Sequence, residues 1–441
     1  MKLSDYMDTG ELTRLVDAGY INQRWHPSLP ICIYNYGPSA QFDQYWPHEI
    51  CACRGLIADA DENIISRPMY KFFNLNQPST IIMPPTFTEP GGAQQNVMVD
   101  PDYLLFFKKV GYDMSITRKM DGMMGILWNY QDQWGIATRG SFESDGAKFA
   151  TEKWQKFVKY GAAKDFVPAG WTLIFEIIAK HLRIVIPYEW EGLCLLTAVN
   201  NVTGEEMSYE RLYKLWEDLN SYSKTLDANG VLQPGKPWCR IVEKFDIDLK
   251  TAENDQSMEE EGYVVSINRP SLTPVKAKIK LAEYKRIHRT LSYVTPQMIW
   301  AEMARPMDEW LYIESKTDRK TGETVHGLQL PPEFRAWIGQ WQRGLMNAFH
   351  RNLQNAIEAQ TDLQKRETGG FFPHGTTNYF KNDKLRKDWL MSPEGGKCSR
   401  EITDAAMLLR SNRIPEAYEL LWNLVRPHGK EDHFYVEGKG E

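Results

Sequence analysis

The sequence predicts an α+β fold in two parts: mixed strands and helices over residues 1–292, then an all-helical segment over 293–441. Three observations predict it. Short β-branched and aromatic runs alternate with helical patterns in the first part, whereas a 3.6-residue period dominates the second. A chain of 441 residues exceeds what one core commonly holds. Its 42% hydrophobic content separates it from disordered chains.

The elements follow in order. Residues 1–30 read as a short helical entry closed by a Pro-punctuated loop, and Ile31–Tyr36 (ICIYNY) as a strand. Residues 54–58 and 63–66 form a hairpin about the acidic turn 59–62. The Pro-, Gly- and Gln-rich stretch 84–101 reads as a loop. Two β-rich runs, SITRK and MGILWNY, bracket Asp121-Gly122, and WGIATRG follows a polar turn. Residues 148–160 read as a helix with Phe149, Trp154, Phe157 and Val158 near one face. Strands are expected at 171–178, 183–186 and 193–199, a helix at 208–221, and a strand pair at 262–267 and 275–281 around a long loop. Beyond these, 299–313 and 332–366 are helical. The latter repeats Phe334, Trp337, Trp341, Leu345, Phe349, Leu353 and Ile357 at three- or four-residue intervals. Residues 368–398 read as a Gly/Pro/Lys-rich loop before helices at 402–409 and 415–425.

Composition narrows the function. No apolar run reaches the roughly 20 residues of a membrane span, and the acidic start MKLSDYMDTGELTRL has no apolar signal core. Six dispersed cysteines, with Cys51-x-Cys53 as the nearest pair, fit free, mostly buried thiols and a reducing cytoplasm. A net charge of −6 argues against indiscriminate nucleic-acid coating but leaves room for a local basic groove.

Lys119-Met120-Asp121-Gly122 is the first chemical signal. A K-x-D-G occurs by chance in roughly one such chain in ten, and for the tetrapeptide alone a strand end with a β-turn is the commoner explanation. A lysine nucleophile must shed its proton, which a reference pKa of about 10.4 opposes. Neighbouring cations, a metal or burial must then depress it. Candidate cations recur along the chain: Arg54, Arg67 and Lys71, and the period-two series Lys276, Lys278, Lys280, which a strand presents on one face. Glu176 sits in the apolar run FEII, and Glu261 ends an acidic turn beside Gly262. A carboxylate buried in such a strand needs a cation, a metal or a hydroxyl.

The ordered set RG, RPxxKFFN, KxDG, TRGS, FE, EGYVV and KIKxxxYxxxH resembles the nucleotidyltransferase superfamily of ATP-dependent ligases and capping enzymes, most nearly the T-even phage RNA ligase 1 family. The resemblance spans about residues 30–290 and implies an ATP-grasp-like domain of antiparallel sheets with helices. It implies ATP and Mg²⁺ (or Mn²⁺) as cofactors, and a lysyl-AMP on Lys119, with Asp121 and Gly122 shaping its turn. Tyr36 and Arg54 would hold the nucleotide, and Lys71 the outgoing phosphates with Phe73 packed behind. Glu176 would take the ribose hydroxyls, Glu261 the metal beside Gly262, and Lys278 and Lys280 the α-phosphate, with Tyr284 four residues on. Arg139 stands where the family pattern has Lys. The implied activity joins 5′-phosphate and 3′-hydroxyl RNA ends, single-stranded or from broken tRNA. The chain would act as a monomer in the cytoplasm, the host's if phage-encoded, beside a separate end-healing kinase/phosphatase. A DNA ligase or capping-type enzyme is the alternative, and five short strands after the lysine series would mark it. In the helical segment, Lys381, Lys384, Arg386 and Lys387 lie among Tyr379, Phe380 and Trp389, a pattern suited to RNA backbone contact with base stacking.

Overall fold

A computed structural model describes residues 1–82, 94–160, 163–221, 224–226, 232–234, 237–257, 260–303, 315–317, 324–326, 332–368, 382–393 and 396–428. The chain forms two compact units, the first comprising Met1–His288 and the second Arg289–Val436.

The first unit opens with an antiparallel meander of β1 (Ile21–Trp25), β2 (Ile31–Tyr36), β3 (Arg54–Asp59) and β4 (Ile64–Ser66). β1 lies inside the stretch expected to be helix and loop. Its Ile21 is buried and its other four residues are exposed, so it carries no alternation to read. β2 is buried along its whole length because both faces are covered. Cys32, Tyr34 and Tyr36 face a core with Leu12, Leu15 and Ile50. Ile31 and Ile33 face another with Ile57, Ile126 and Ile174. After β5 (Phe73–Asn74), β6 (Gln77–Ile82) pairs with β7 (Gln94–Val99), and a helix Pro101–Lys109 follows. The predicted loop 84–101 therefore contains a strand, and Val99 at its end packs under Leu104 and Phe107.

Two five-stranded sheets carry the rest. One has the order β10 (Gln133–Ala137), β9 (Met123–Tyr130), β11 (Trp171–Ile178), β12 (Gly192–Asn200) and β15 (Cys239–Ile241). Its outer face is covered by the helices Asp145–Tyr160 and Tyr209–Asn220, which bury Trp154 against Leu173, Phe175, Leu212 and Leu219. β13 (Lys224–Leu226) and β14 (Leu232–Pro234) form a small ribbon. The other sheet has the order β16 (Lys244–Phe245), β8 (Asp113–Lys119), β17 (Gly262–Arg269), β18 (Leu272–Lys280) and β5. β8 and β9 are consecutive yet belong to different sheets, so Met120, Asp121 and Gly122 are the crossing between them.

Two expectations change here. Residues 183–186 are not a strand, because the Val185 and Ile186 amides turn aside to the Asp121 carboxylate at 2.8 and 2.7 Å. The long loop expected between β17 and β18 is a two-residue turn. The strands run on to Arg269 and from Leu272, and the buried Arg269 guanidinium donates to the Thr273 carbonyl.

The second unit is mainly helical. The helix Pro332–Thr368 packs on Arg400–Arg410 and Ile414–Leu424 through Ala356, Ile402, Ala405 and Leu421. The expected helix at 299–313 is described as Pro296–Glu302, with residues 304–313 outside the described ones. Trp300 on it stacks on Trp422 at 5.9 Å and 11°. A short ribbon of β19 (Ser315–Thr317) and β20 (Thr324–His326) is added. The predicted loop 368–398 contains the helix Asp383–Met391, capped by Asn382, whose side chain accepts from the Leu385 amide. Arg386 on it pairs with Glu367 and Asp383, and Lys387 with Asp404, so two of the four expected RNA-facing cations make ion pairs within this unit. Tyr379, Phe380 and Lys381 lie outside the described residues. Among the described residues no five-stranded barrel follows β18.

Gly262 opens the central strand of its sheet at φ +142°, where an added Cβ would lie 1.9 Å from the Ile279 carbonyl oxygen. Gly262→Ala should cost at least about 1–3 kcal/mol, the scale of one strained backbone position. Urea unfolding reads this directly, and an unchanged midpoint would show that β17 and β18 can separate freely at that point.

Candidate active site

Strand register builds the centre of the site. Gly262 pairs with Lys119 on one side and Lys280 on the other. Glu261, one residue before Gly262, therefore lies between the two lysines. Its Oε2 is 2.6 Å from the Lys119 Nζ and its Oε1 3.1 Å from the Lys280 Nζ. Only 3% of the Glu261 side chain is exposed. Burial alone would raise its pKa, but the two ammonium groups hold it below the usual carboxylate range.

The crossing from β8 to β9 is fixed on all sides. The Asp121 carboxylate accepts from the Val185 and Ile186 amides and, at 2.6 Å, from the Tyr284 hydroxyl. The Asp121 amide donates to the Tyr188 hydroxyl at 2.9 Å. The Gly122 amide donates to Glu176 Oε1 at 3.1 Å, and a Cβ at Gly122 would stand 2.5 Å from the Ile177 carbonyl oxygen. Burial, reinforced by the Glu261 charge, raises the pKa of Asp121. Burial likewise raises Glu176, to about 8, against the opposing pull of Lys119.

Lys119 differs from the sequence-based expectation of a lysine depressed by cations. Burial does act to lower its pKa, but Glu261, Glu176 and Asp121 outweigh it and hold Lys119 above its ordinary range. The depressed lysines are its neighbours. Burial, with Arg54, Lys71, Lys119 and Lys280 nearby, pushes Lys278 well down. Burial also lowers Lys71.

A second group of cations gathers around aromatic faces. Lys71 lies 4.6 Å from the Tyr36 and Trp46 ring centres and 5.2 Å from that of Phe73, and donates to the Tyr36 hydroxyl at 3.3 Å. The Arg139 guanidinium covers the opposite part of the same environment, donating to the Tyr36 hydroxyl and lying 4.6 Å from its ring centre. Burial works to raise the Tyr36 phenol, but Arg139, Lys71 and Arg54 bring it below its ordinary value. Arg54 and Lys278 lie 5.2 and 4.8 Å from the Phe72 ring centre. Such contacts let cations crowd together with part of their hydration replaced by aromatic faces.

Lys276 is set apart from the other two lysines of its series. It bonds Glu206 at 2.7 Å, and both side chains are buried. Four functional neighbours escape the sequence reading. Phe72 lies inside RPxxKFFN beside the Phe73 that the motif singles out, and Glu206 and Tyr188 lie in the stretch between the FE motif at 175–176 and Ser208. Trp46 carries no motif at all. Its place beside Tyr36 and Phe73 comes from tertiary packing.

Among the described residues no cluster of three or more His, Cys, Asp or Glu side chains could hold a metal ion. Glu261 offers a single carboxylate. That suits a cation such as Mg²⁺, which keeps several waters and is bound by one or two carboxylates plus substrate phosphates.

A partly buried lysine against a buried carboxylate, flanked by cations, is the arrangement that the motifs lead one to expect of a nucleotidyltransferase. The family model described as RNA ligase matches residues 52–284, more than half of the chain, and the chain belongs to that family, the phage RNA ligase 1 type that its motifs resemble. An RNA ligase of Rhodothermus phage RM378 is 22% identical over 311 residues, 60% of this chain and 66% of its own. A protein of Autographa californica nuclear polyhedrosis virus, described as a bifunctional polynucleotide kinase/RNA ligase, is 24% identical over 220 residues, 46% of this chain and 29% of its own. The chain thus spans less than two thirds of the length of these curated relatives. Among solved structures, an archaeal ATP-dependent RNA ligase shares 11% identity, with 76% of this chain and 75% of that one covered and a TM-score of 0.40. No helix among the described residues is long and apolar enough to cross a membrane.

Two measurements follow from the burial of these charges. Lys276→Met alone leaves Glu206 unpaired and should cost about 3–5 kcal/mol, whereas Lys276→Met with Glu206→Leu should recover most of that loss. A double-mutant cycle by chemical denaturation decides it. For Glu176, the unfolded carboxyl ionises near pH 4.3 while the folded one keeps its proton to about pH 8. The folded state then binds more protons, so stability falls as pH rises through that window. Glu176→Gln lacks this loss, and its melting temperature should gain on the wild type from pH 5 to pH 8. Parallel curves would remove the assignment.

Proposed function

We propose that the chain is an ATP-dependent RNA ligase that joins 5′-phosphate and 3′-hydroxyl RNA ends through a lysyl-AMP on Lys119. The observation that supports this most is the placement of Lys119: a partly buried lysine at the end of β8, just before the crossing between the sheets, separated by β17 from the strand that carries Lys278 and Lys280, and in contact with Glu261.

In the first step the neutral Lys119 amine attacks the α-phosphorus of ATP. The ammonium first gives a proton to solvent; the N–P bond then forms, the bond to the bridging oxygen breaks, pyrophosphate leaves with that electron pair, and the nitrogen loses its second proton to solvent. Glu261 holds the ammonium until that step, so its charge must be offset as ATP binds. Glu261 would hold a divalent cation carried on the triphosphate, which would supply that positive charge. Lys278 and Lys280 take the α-phosphate, and Arg54, Tyr36 and Lys71, with Phe73 behind, take the departing phosphates. Glu176, a neutral acid at neutral pH, can donate to a ribose hydroxyl as well as accept from the Gly122 amide. AMP then passes to an RNA 5′-phosphate, and a 3′-hydroxyl finally displaces it.

In this reading residues 1–292 carry the adenylyltransferase chemistry and 293–441 select the RNA. Single-stranded ends, including those of cleaved tRNA, are the substrate class. They must arrive with a 5′-phosphate and a 3′-hydroxyl, which a separate end-healing kinase/phosphatase supplies.

Incubation with α-labelled ATP and Mg²⁺ should label one peptide, at Lys119, and a chase with 5′-phosphorylated RNA should move the label to RNA and then yield joined product. Lys119→Ala should lose the label altogether. Glu261→Ala should lose at least about a hundredfold in labelling rate, the scale of one electrostatic contact at a reacting centre. Full labelling of Lys119→Ala would overturn the proposal.

A further inference from the structure

Two buried charges in the first unit take no part in the roles above. Lys276 on β18 and Glu206, in the turn after β12, bond at 2.7 Å with 8% and 6% of their side chains exposed. The pair links the two five-stranded sheets, since Glu206 bridges to Val199 of one and Lys276 lies in the other. A clasp of that kind needs no charge. Glu205 ties the same stretch to the β17–β18 turn, accepting from the Ser271 amide at 3.1 Å. The Lys276 ammonium also meets Met69 Sδ at 3.5 Å and lies 5.2 Å from the Phe72 ring centre. Apolar side chains of similar volume often hold such a place as well as an ion pair does, because desolvating both charges costs about what their attraction returns. The charges therefore call for a reason of their own.

That reason lies two residues along the strand. Lys278 shares the face of β18 that carries Lys276, and its ammonium is 4.8 Å from the same Phe72 ring centre. Arg54 stands 5.2 Å from that centre. Lys278 is buried among the charges of Arg54, Lys71, Lys119 and Lys280, and among the described residues it makes no ion pair. A buried ammonium in such company is stabilised by any carboxylate that comes within reach, because the contact offsets both its desolvation and its neighbours' repulsion. Glu206 is the carboxylate beside this ring, and its bond to Lys276 occupies it.

We infer that Lys276 is a positioning residue for the phosphate site: by holding the Glu206 carboxylate beside Phe72, it keeps Lys278 open to an anionic ligand. The inference rests on the reading of Lys278 as a phosphate-binding lysine of an ATP-dependent ligase, and it gives Lys276 no contact with ATP. Loss of the Lys276 charge turns Glu206 into an uncompensated anion beside the ring that Lys278 also touches, in competition with the triphosphate. ATP then binds more weakly, while the chemical step is unaltered once Lys278 has exchanged Glu206 for ATP.

The test uses the full chain with α-labelled ATP and Mg²⁺ and reads the initial rate of enzyme–AMP formation against ATP concentration. The half-saturating concentration does not depend on how much of a variant is folded, so lost stability does not imitate the effect. Lys276→Met should raise it about tenfold, the scale of one unit charge acting over several ångströms at a protein's effective dielectric constant, with the saturated rate of the folded enzyme unchanged. Glu206→Gln alone should lower it severalfold, because the Lys276 charge then adds to the cluster. Lys276→Met with Glu206→Gln should return it to the wild-type value although the ion pair is gone. A double variant as impaired as Lys276→Met would make Lys276 a phosphate ligand itself and overturn the inference. Wild-type half-saturation in Lys276→Met would leave the pair a structural clasp and overturn it equally. If Lys276→Met does not fold, Glu206→Gln decides, and a value at or above that of the wild type overturns the inference. A wild type that forms no enzyme–AMP overturns the ligase reading instead, so the two failures are distinct.

Discussion

The contact on which the site depends is the Glu261 carboxylate held between Lys119 and Lys280. Neither lysine is near Glu261 in sequence. Both are brought there by the pairing of Gly262 with Lys119 and with Lys280 across three strands. Burying that carboxylate alone would cost several kcal/mol, and two ammonium groups at 2.6 and 3.1 Å offset it. The same contact sets the state of Lys119, because an ammonium bonded to a buried carboxylate keeps its proton. In the proposed reaction, attack by Lys119 is therefore gated by whatever displaces or neutralises Glu261, not by the lysine's surroundings alone. Gly262 has no substitute here, because the close passage of the Ile279 carbonyl is what lets β18 deliver Lys280.

Around that contact, charge is concentrated against the trend of the whole chain. The net charge is −6, yet Arg54, Lys71, Arg139, Lys278 and Lys280 lie in or beside one site. Burial, with repulsion from the neighbouring cations added, holds Lys278 and Lys71 below the ordinary lysine range. Tyr36, Trp46 and Phe72 give the cations faces to rest on without supplying a counter-charge. A surface of this kind binds polyanions because the protein leaves the compensation to the ligand. Lys276 shows the contrast: with Glu206 beside it, the same strand face has spent its charge internally.

Much of this was legible in the sequence, for definable reasons. β2, β9 and β11 are dense in β-branched and aromatic residues, and the helix Asp145–Tyr160 carries an apolar face, so local pattern and fold agree. The misses share a cause. β1 buries one residue, residues 183–186 spend their amides on Asp121, and Asp383–Met391 sits in a segment whose composition favours a loop. In each, tertiary partners override local preference. The site residues could be named because their types and order were unusual, but not their state. That Lys119 is held protonated, and that Lys276 is withdrawn, depends on Glu261 and Glu206 lying within bonding distance. Trp46 had no signal because an aromatic wall needs only a face, which any local sequence can supply.

The two strand-borne acids show how one environment produces two chemistries. Burial acts to raise the pKa of both acids, but only Glu176 ends above its ordinary value. Glu261 touches two ammonium groups and stays an anion. Glu176 feels Lys119 only at longer range, its Oε1 accepts from a backbone amide, and its pKa rises to about 8. At neutral pH one acid is therefore an acceptor that can face cations, and the other is a neutral acid that can donate a hydrogen bond. The distinction comes from register. Glu261 stands at the start of the central strand with a lysine on each flank, whereas Glu176 pairs with Met124 and Cys194, which carry no charge to share. Exchanging the two acids' neighbours would exchange their protonation states, so the division between anion and neutral acid is written in strand pairing rather than in residue type.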